Sequence, residues 1–321
     1  MVEAKQRPWL PSVIGIALSL VLLIVVLPYA AGYSDYRKTL LQLMLVHWFS
    51  SELTTWQYGV LVPPVVIWLI WNQSQRFALL PLRSHWSGLA LILIGLTFYW
   101  VGYKASNYYF GYLAVQLFVA GSIMWGLGVA WMRALIFPWI VFGMMWPLRF
   151  LEDRLGFPMR MISQDGVMAI AQALKLPITA EGTTLLSATT NQPPGSWMTL
   201  QVEGQCSGMN TLFALMFASL IYAYHAQKSF WRRVVLFLCS IPLALLGNVI
   251  RIWVLIAGCA VFGQEFAVGN EEIEMSGYHL LAGLLVFLIA MEGLRQISKW
   301  MNRRRNGIQS RTTRISKPLQ A

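Results

Sequence analysis

Three side chains of types that do covalent chemistry open or interrupt long apolar runs of this chain. Cys206 stands in Glu203-Gly204-Gln205-Cys206-Ser207-Gly208 at the start of one run. Arg251 lies within the next run, with Asn248 one helical turn before it, and His279 opens the last. A thiol attacks as its thiolate, and forming one near neutral pH needs a base or a cation beside it. His279 can serve as that base and later as the acid for a leaving amine. A guanidinium keeps its charge throughout, so Arg251 suits stabilisation of a thiolate or an oxyanion and not proton transfer. Gly204 and Gly208 leave the backbone beside the thiol open. Glu203, Ser207, Gly208 and Asn248 are the candidates for holding a substrate chain.

Each residue alone has a plainer reading. A cysteine is commonly a small buried apolar residue, a histidine at a helix end is commonly interfacial, and an arginine in a span snorkels outward or ties two helices. The conjunction of thiol, imidazole and guanidinium at one depth carries the catalytic reading. Cys239 and Cys259 fit that depth poorly and read as packing residues. His85 and His225 fall on the opposite side, and His47 is a reserve candidate for the base. The three cysteines form no CxxC pair and the four histidines have no paired spacing. No disulfide framework, metal site or cofactor is therefore expected.

The elements that must position these groups follow from composition. Of 321 residues, 57% are hydrophobic and 12% charged, whereas soluble domains carry about 25% charged residues. The apolar residues lie in blocks, not at strand alternation, which excludes a cytosolic enzyme, a disordered chain and an outer-membrane barrel. A hydrocarbon core about 30 Å thick needs about 20 apolar residues per helix. The chain reads as an all-α polytopic membrane protein of about eight transmembrane helices, at residues 10–30, 58–71, 86–103, 110–131, 134–148, 207–224, 234–262 and 279–294. The second and fifth are short and carry Pro63, Pro64, Pro138 and Pro147. The first follows Lys5 and Arg7 but has no small-residue cleavage site, so it reads as an anchor.

Charge sets the orientation. With the N-terminus inside, the inner segments hold 16 of the 24 Lys and Arg, and 11 of the 13 Asp and Glu fall outside. The net charge of +11 is then a topogenic signal that also touches anionic lipid, and no nucleic-acid partner is expected. Arg251 lies 17 residues into its span, about 25 Å at 1.5 Å per residue, near the outer boundary where Cys206 and His279 also fall.

A membrane domain over residues 1–302 is expected, with an outer insertion at 149–205 and a basic cytoplasmic tail at 303–321 that reads as disordered. Residues 40–49 read as a short interfacial helix. Within the insertion, residues 161–174 have helical periodicity and the remainder reads as a β-hairpin. One strand covers 183–190, NQPPG at 191–195 makes the turn, and 196–204 forms the second strand, in which Met198, Leu200 and Val202 alternate with polar neighbours.

At these residues the chain resembles the exosortase/archaeosortase family of membrane cysteine transpeptidases. Cys206-Ser207-Gly208 at the start of a span, Asn248-Val249-Ile250-Arg251 in the next and His279 opening the last match the family in order and spacing. Tyr58-Gly59-Val60-Leu61-Val62-Pro63-Pro64 is similar to its HG-x-LVP segment, with Tyr58 in place of the histidine, and Gln205 stands where the family often has Ala. The resemblance covers residues 58–294. It implies a thiol protease or transpeptidase for protein sorting. Such an enzyme cleaves a C-terminal signal, made of a short motif such as Pro-Glu-Pro, a transmembrane helix and a basic cluster, and passes the new carboxyl end to a cell-surface acceptor. The nucleophile maps to Cys206, the acid/base to His279 and the electrostatic stabiliser to Arg251. The partners implied are membrane-anchored substrate proteins and the lipid bilayer. The location implied is the inner membrane, with the site facing the periplasm. The alternative is a non-enzymatic transporter or exopolysaccharide assembly component. A transporter should show repeated halves with helices interrupted at the midplane, and no such repeat is visible.

Overall fold

The structure, a computed structural model, describes residues 9–30, 37–50, 54–77, 79–188, 193–201, 208–269 and 276–315, the last twelve of these as backbone only. It is mostly helical and forms two compact units, Met1–Leu148 and Arg149–Ala321.

In the first unit, α1 (Leu10–Val21) passes into a π-helical turn, Leu22–Val26, and ends at β1 (Pro28–Ala30), which pairs antiparallel with β2 (Arg37–Thr39). Helix α2 (Leu40–Phe49) begins where the interfacial helix is expected. Thr39 and Gln42 form its capping box, with Gln42 N–H donating to Thr39 Oγ1 at 3.3 Å and Thr39 N–H to Gln42 Oε1 at 2.9 Å. The expected span at 58–71 resolves into a 3₁₀ stretch, Thr54–Leu61, and α3 (Val62–Asn72), followed by the single turn α4 (Ser74–Phe77). Pro63 and Pro64 sit in the first turn of α3, where a missing N–H does no harm. The 11 residues of α3 reach only about 16 Å.

Helices α5 (Trp86–Lys104) and α6 (Tyr108–Gly126) form the closest pair in this unit. Gly88, Gly95 and Gly102 recur every seven residues on α5 and are its buried positions. A Cβ at Gly88 would stand 2.6 Å from the Gly121 carbonyl oxygen, and one at Gly95 would stand 3.0 Å from that of Ala114. The stripe therefore lets two backbones approach, the usual means of helix association in lipid. Helix α7 (Val129–Gly143) carries Pro138 within it.

In the second unit, α8 (Arg149–Ala173) is longer than the helix expected at 161–174 and contains Pro158. A three-stranded meander follows in place of a plain hairpin: β3 (Ile178–Glu181), β4 (Thr184–Ser187) and β5 (Thr199–Gln201), in the order β3-β4-β5. Gly182, at φ +60°, begins the two-residue turn between β3 and β4. The expected alternation holds at the described positions, since Met198 and Leu200 are buried; Val202 and residues 189–192 lie outside the described residues. With Ile178 and Leu185 they cover Val167 and Ala171 of α8.

Helix α9 (Met209–Ala226) leads through a turn to α10 (Phe230–Leu238) and α11 (Ser240–Phe262), with Cys239 at the junction. Pro242 explains the break: it has no N–H to offer the Leu238 carbonyl and its ring crowds it. The single turn α12 (Gln264–Ala267) precedes α13 (Gly277–Ile315), which runs on as helix through most of the tail that reads as disordered. At the far end of this unit, Gln227 Nε2 donates to Ser298 Oγ at 2.8 Å, Arg233 Nε to the Gln227 carbonyl at 2.7 Å and Arg232 to the Met301 carbonyl at 3.2 Å. These bonds fasten the α9–α10 turn to α13.

Five helical stretches among the described residues are long and apolar enough to cross a membrane: Trp86–Lys104, Tyr108–Gly126, Met209–Ala226, Phe230–Phe262 and Gly277–Arg303. Three shorter apolar helices, Leu10–Val26, Leu40–Phe49 and Val129–Gly143, accompany them. The difference from about eight spans lies in three runs: 10–30 passes into a π turn, 58–71 becomes α-helix only from Val62, and the helix over 134–148 ends at Gly143.

Candidate active site

The second unit gathers its polar side chains on the facing surfaces of α8, α9, α11 and α13. Arg251 is 6% exposed and His279 3%, so both are turned inward from any lipid-facing surface. Burying a guanidinium is costly by several kcal/mol unless its surroundings answer the charge. The packing surface is therefore informative. A Cβ at Gly283 would stand 3.6 Å from Arg251 Cζ, so the guanidinium of α11 lies against bare backbone of α13. Gly283 is one turn beyond His279 on the same face, and the Arg251 charge acts on the His279 ring.

His279 is held from two directions. Its backbone N–H donates to Ser276 Oγ at 3.1 Å, while the Ser276 hydroxyl donates to the Ala267 carbonyl at 2.9 Å. Ser276 thus caps the start of α13 and anchors it to α12. The imidazole reaches the backbone of Val268. Nearby, Tyr278 packs on Gly258 and its hydroxyl donates to the Val254 carbonyl at 2.9 Å, tying α13 to α11 a second time.

Asn248, one turn before Arg251, is 1% exposed. Its Nδ2 donates to Ser163 Oγ of α8 at 3.1 Å, and its carboxamide lies against Gly208, where a Cβ would stand 2.7 Å from Asn248 Cγ. Gly208 is in the left-handed region at φ +77° and precedes α9 as its N-cap. Arg251, His279, Asn248 and Gly208 are therefore assembled in one unit, on three helices. Cys206, Glu203 and Ser207 lie outside the described residues, two, five and one positions before Gly208 in sequence.

The other candidates occupy different surroundings. Cys259 is 3% exposed in the apolar cluster with Ile252, Leu255 and Ile256, and Cys239 is half-buried at the α10–α11 junction. His47 belongs to the first unit, where its Nδ1 donates to the Leu43 carbonyl at 2.7 Å. Tyr58 donates to the Met144 carbonyl at 3.0 Å, an interhelical tie. Among the described residues no three His, Cys, Asp or Glu side chains are grouped as a metal site would need. Three contributors escape sequence reading: Ser163, Ser276 and Gly283. Gly283 leaves a trace, as a glycine one turn from His279 within an apolar run. Ser163 leaves none beyond being polar on the apolar face of α8.

A buried guanidinium and a buried imidazole on two packed helices that can cross a membrane define a polytopic membrane protein with its polar groups gathered inside one unit. A family model described as Transmembrane exosortase (Exosortase_EpsH) matches residues 48–294, and the chain belongs to that family. No curated protein and no solved structure matches it.

Proposed function

We propose that this protein is a membrane-embedded cysteine transpeptidase that cleaves a C-terminal sorting signal and transfers the protein to a cell-surface acceptor, from the inner membrane with its site facing the periplasm. The observation that carries the reading is that the buried Arg251 of α11 lies against Gly283 of α13, one turn from the buried His279, with the start of α9, just after Cys206 in sequence, against Asn248, one turn before Arg251.

The electrostatics support an anion at this place. Helix N-termini carry partial positive charge; α13 begins one turn before the Gly283 that meets the guanidinium, and α9 begins against Asn248, one turn before Arg251. That environment favours a thiolate and the oxyanion that follows its attack. In the proposed cycle the Cys206 thiolate adds to the scissile carbonyl carbon. Collapse breaks the C–N bond, the leaving amine takes a proton from His279, and a thioester remains. An acceptor amine then gives its proton to His279, attacks the thioester and restores the thiolate. Arg251 stays charged throughout.

The test is a co-expressed fusion ending in Pro-Glu-Pro, an apolar helix and an arginine cluster, followed by its size shift. Cys206→Ala is expected to stop processing, lowering it by about three orders of magnitude or more, while Cys239→Ala and Cys259→Ala continue. Processing at the parent rate by Cys206→Ala would hand the chain to a non-enzymatic role in transport or assembly. Impermeant thiol labels should reach cysteines placed in 149–205 from outside, and cysteines placed after residue 303 only from inside.

A further inference from the structure

We propose that the turn between α9 and α10, with the facing stretch of α13, is a binding site for the phosphate of an anionic phospholipid. The inference is independent of the reaction proposed above, since it needs only that these helices cross a membrane.

Three of the stretches long and apolar enough to do so meet here. Met209–Ala226 ends, Phe230–Phe262 begins, and Gly277–Arg303 finishes alongside them. In any arrangement that buries those spans, residues 227–233 and 298–303 stand among lipid headgroups. The turn supplies Lys228, Arg232 and Arg233, and α13 supplies Arg295, Lys299 and Arg303. Acids are scarce. From residue 208 to 262 there is no Asp or Glu, and from 277 to 303 there is Glu292 alone. Glu292 is engaged by Arg295, which donates to its two carboxylate oxygens at 2.5 and 2.8 Å. Lys299 acts on that carboxylate only at longer range. Among the described residues, the other cations of this end have no acid within ion-pair distance. Clustered cations between helices at a membrane boundary attract acidic headgroups.

Two of these cations are held in place. Arg233 donates from Nε to the Gln227 carbonyl at 2.7 Å, with its Cζ 4.6 Å from the centre of the Tyr224 ring. Arg232 donates from Nη1 to the Met301 carbonyl at 3.2 Å. Helix capping accounts for the first, because Gln227 follows the end of α9, where carbonyls lack helical partners and a cation is favoured. It does not account for the second. Met301 lies inside α13, which runs on to Ile315, so its carbonyl already accepts within the helix. Nor does it account for Lys228, which is exposed. Beneath them Gln227 is buried and bonded to Ser298, which fixes the turn on α13. A neutral carbonyl leaves the charge of a guanidinium uncompensated and most of its donors unused. Guanidiniums fixed in this way suit the fork geometry of a phosphate, and an arriving anion has little ordering left to do.

The neighbouring rings point to a lipid as the source of that phosphate. Phe230 and Trp231 open α10 beside the cations, exposed and edge-to-face at 5.7 Å. Val235 and Leu238 continue the Trp231 face at helical spacing and are exposed as well. Aromatic rings at this level sit where headgroup passes into acyl chain. An anion that carries acyl chains meets both the guanidiniums and the rings, whereas a soluble phosphate meets the guanidiniums alone.

The experiment titrates the full-length protein in non-ionic detergent with phosphatidylglycerol or phosphatidylcholine and reads bound lipid by native mass spectrometry. Phosphatidylglycerol is expected to bind saturably and phosphatidylcholine far more weakly. Lys228→Gln should weaken phosphatidylglycerol binding about fivefold, and Lys228→Gln/Arg232→Gln about twentyfold. Every variant keeps the basic residues after 303, so binding through the tail is common to all of them. Should the Arg232 substitution accumulate poorly, Lys228→Gln/Lys299→Gln, at two exposed positions, is expected to show a loss of the same size. Parent-like affinity in these variants would assign the lipid to the tail and overturn the site, as would equal binding of the two lipids. Inorganic phosphate should displace phosphatidylglycerol no better than chloride at equal ionic strength; selective displacement by phosphate would make this a soluble-anion site and overturn the lipid assignment.

Discussion

The two units of this protein solve the same problem, helices associating in an apolar medium, by different means. The first relies on close approach. Its α5–α6 pair meets along Gly88, Gly95 and Gly102, and aromatic rings fill the remaining space, as in the stack of Tyr112 on Trp146 at 4.8 Å. The second relies on buried polar ties. Among the described residues, three buried polar side chains lie in the first unit and twelve in the second. Polar groups are expensive in such surroundings, so the second unit's excess needs a reason, and the buried Arg251 and His279 supply one. The lesson is that a unit built for packing alone can be apolar and glycine-rich, whereas one that positions charge must carry a network to hold it.

Breaking each unit by its own means should give opposite failures. The largest effect is expected at Arg251→Lys, where an ammonium replaces a planar fork. Processing of the fusion should fall by about 10² to 10³ with little change in thermal midpoint, because the charge and most of the side-chain length remain. Retained processing would reduce Arg251 to a helix tie and remove the contrast between the units. Next comes Gly88→Val in the first unit. The new side chain meets backbone at Gly121 and Trp125, which cannot move aside, and should destabilise the unit by about 1–3 kcal/mol. Protein level and thermal midpoint should drop, while Cys206 in the surviving molecules alkylates as in the parent.

A smaller effect should separate structural from functional ties within the second unit. Gln227→Leu removes the bonds to Ser298 and is expected to cost about 1–3 kcal/mol in unfolding experiments, with the pH profile of Cys206 alkylation unchanged. A changed profile would mean that this corner communicates with the site. The smallest effect belongs to Cys259→Ala. It trims one buried atom from an apolar cluster and should cost about 1 kcal/mol, leaving processing at the parent rate; a large loss of activity would bring a second thiol into the chemistry.

Much of the architecture was legible before any coordinates. Apolar blocks of the right length, basic residues between them and the order Cys206, Arg251, His279 are local properties of the chain, and α2, α9 and α13 begin within two residues of where the apolar runs put them. The short helices were less legible. Hydropathy adds residues 58–71 into one run, yet Pro63 and Pro64 start a new helix within it, and Pro242 divides another at Cys239. The strand β3 escaped because its four residues, Ile178–Glu181, have no alternation long enough to register and gain strand geometry only by pairing with β4.

What the sequence by itself determined is the class of molecule and which polar side chains fall within or beside its apolar runs, because hydrophobicity, charge bias and residue chemistry are carried by each segment alone. Only the tertiary structure decided which of those groups meet. Arg251 lies on Gly283 because α11 and α13 cross there. Asn248 reaches Ser163 from 85 positions away, and its carboxamide bounds the start of α9. Such pairings depend on helix rotation and on where a missing Cβ lets two backbones close. Those are properties of the packed whole, and no single stretch of residues contains them.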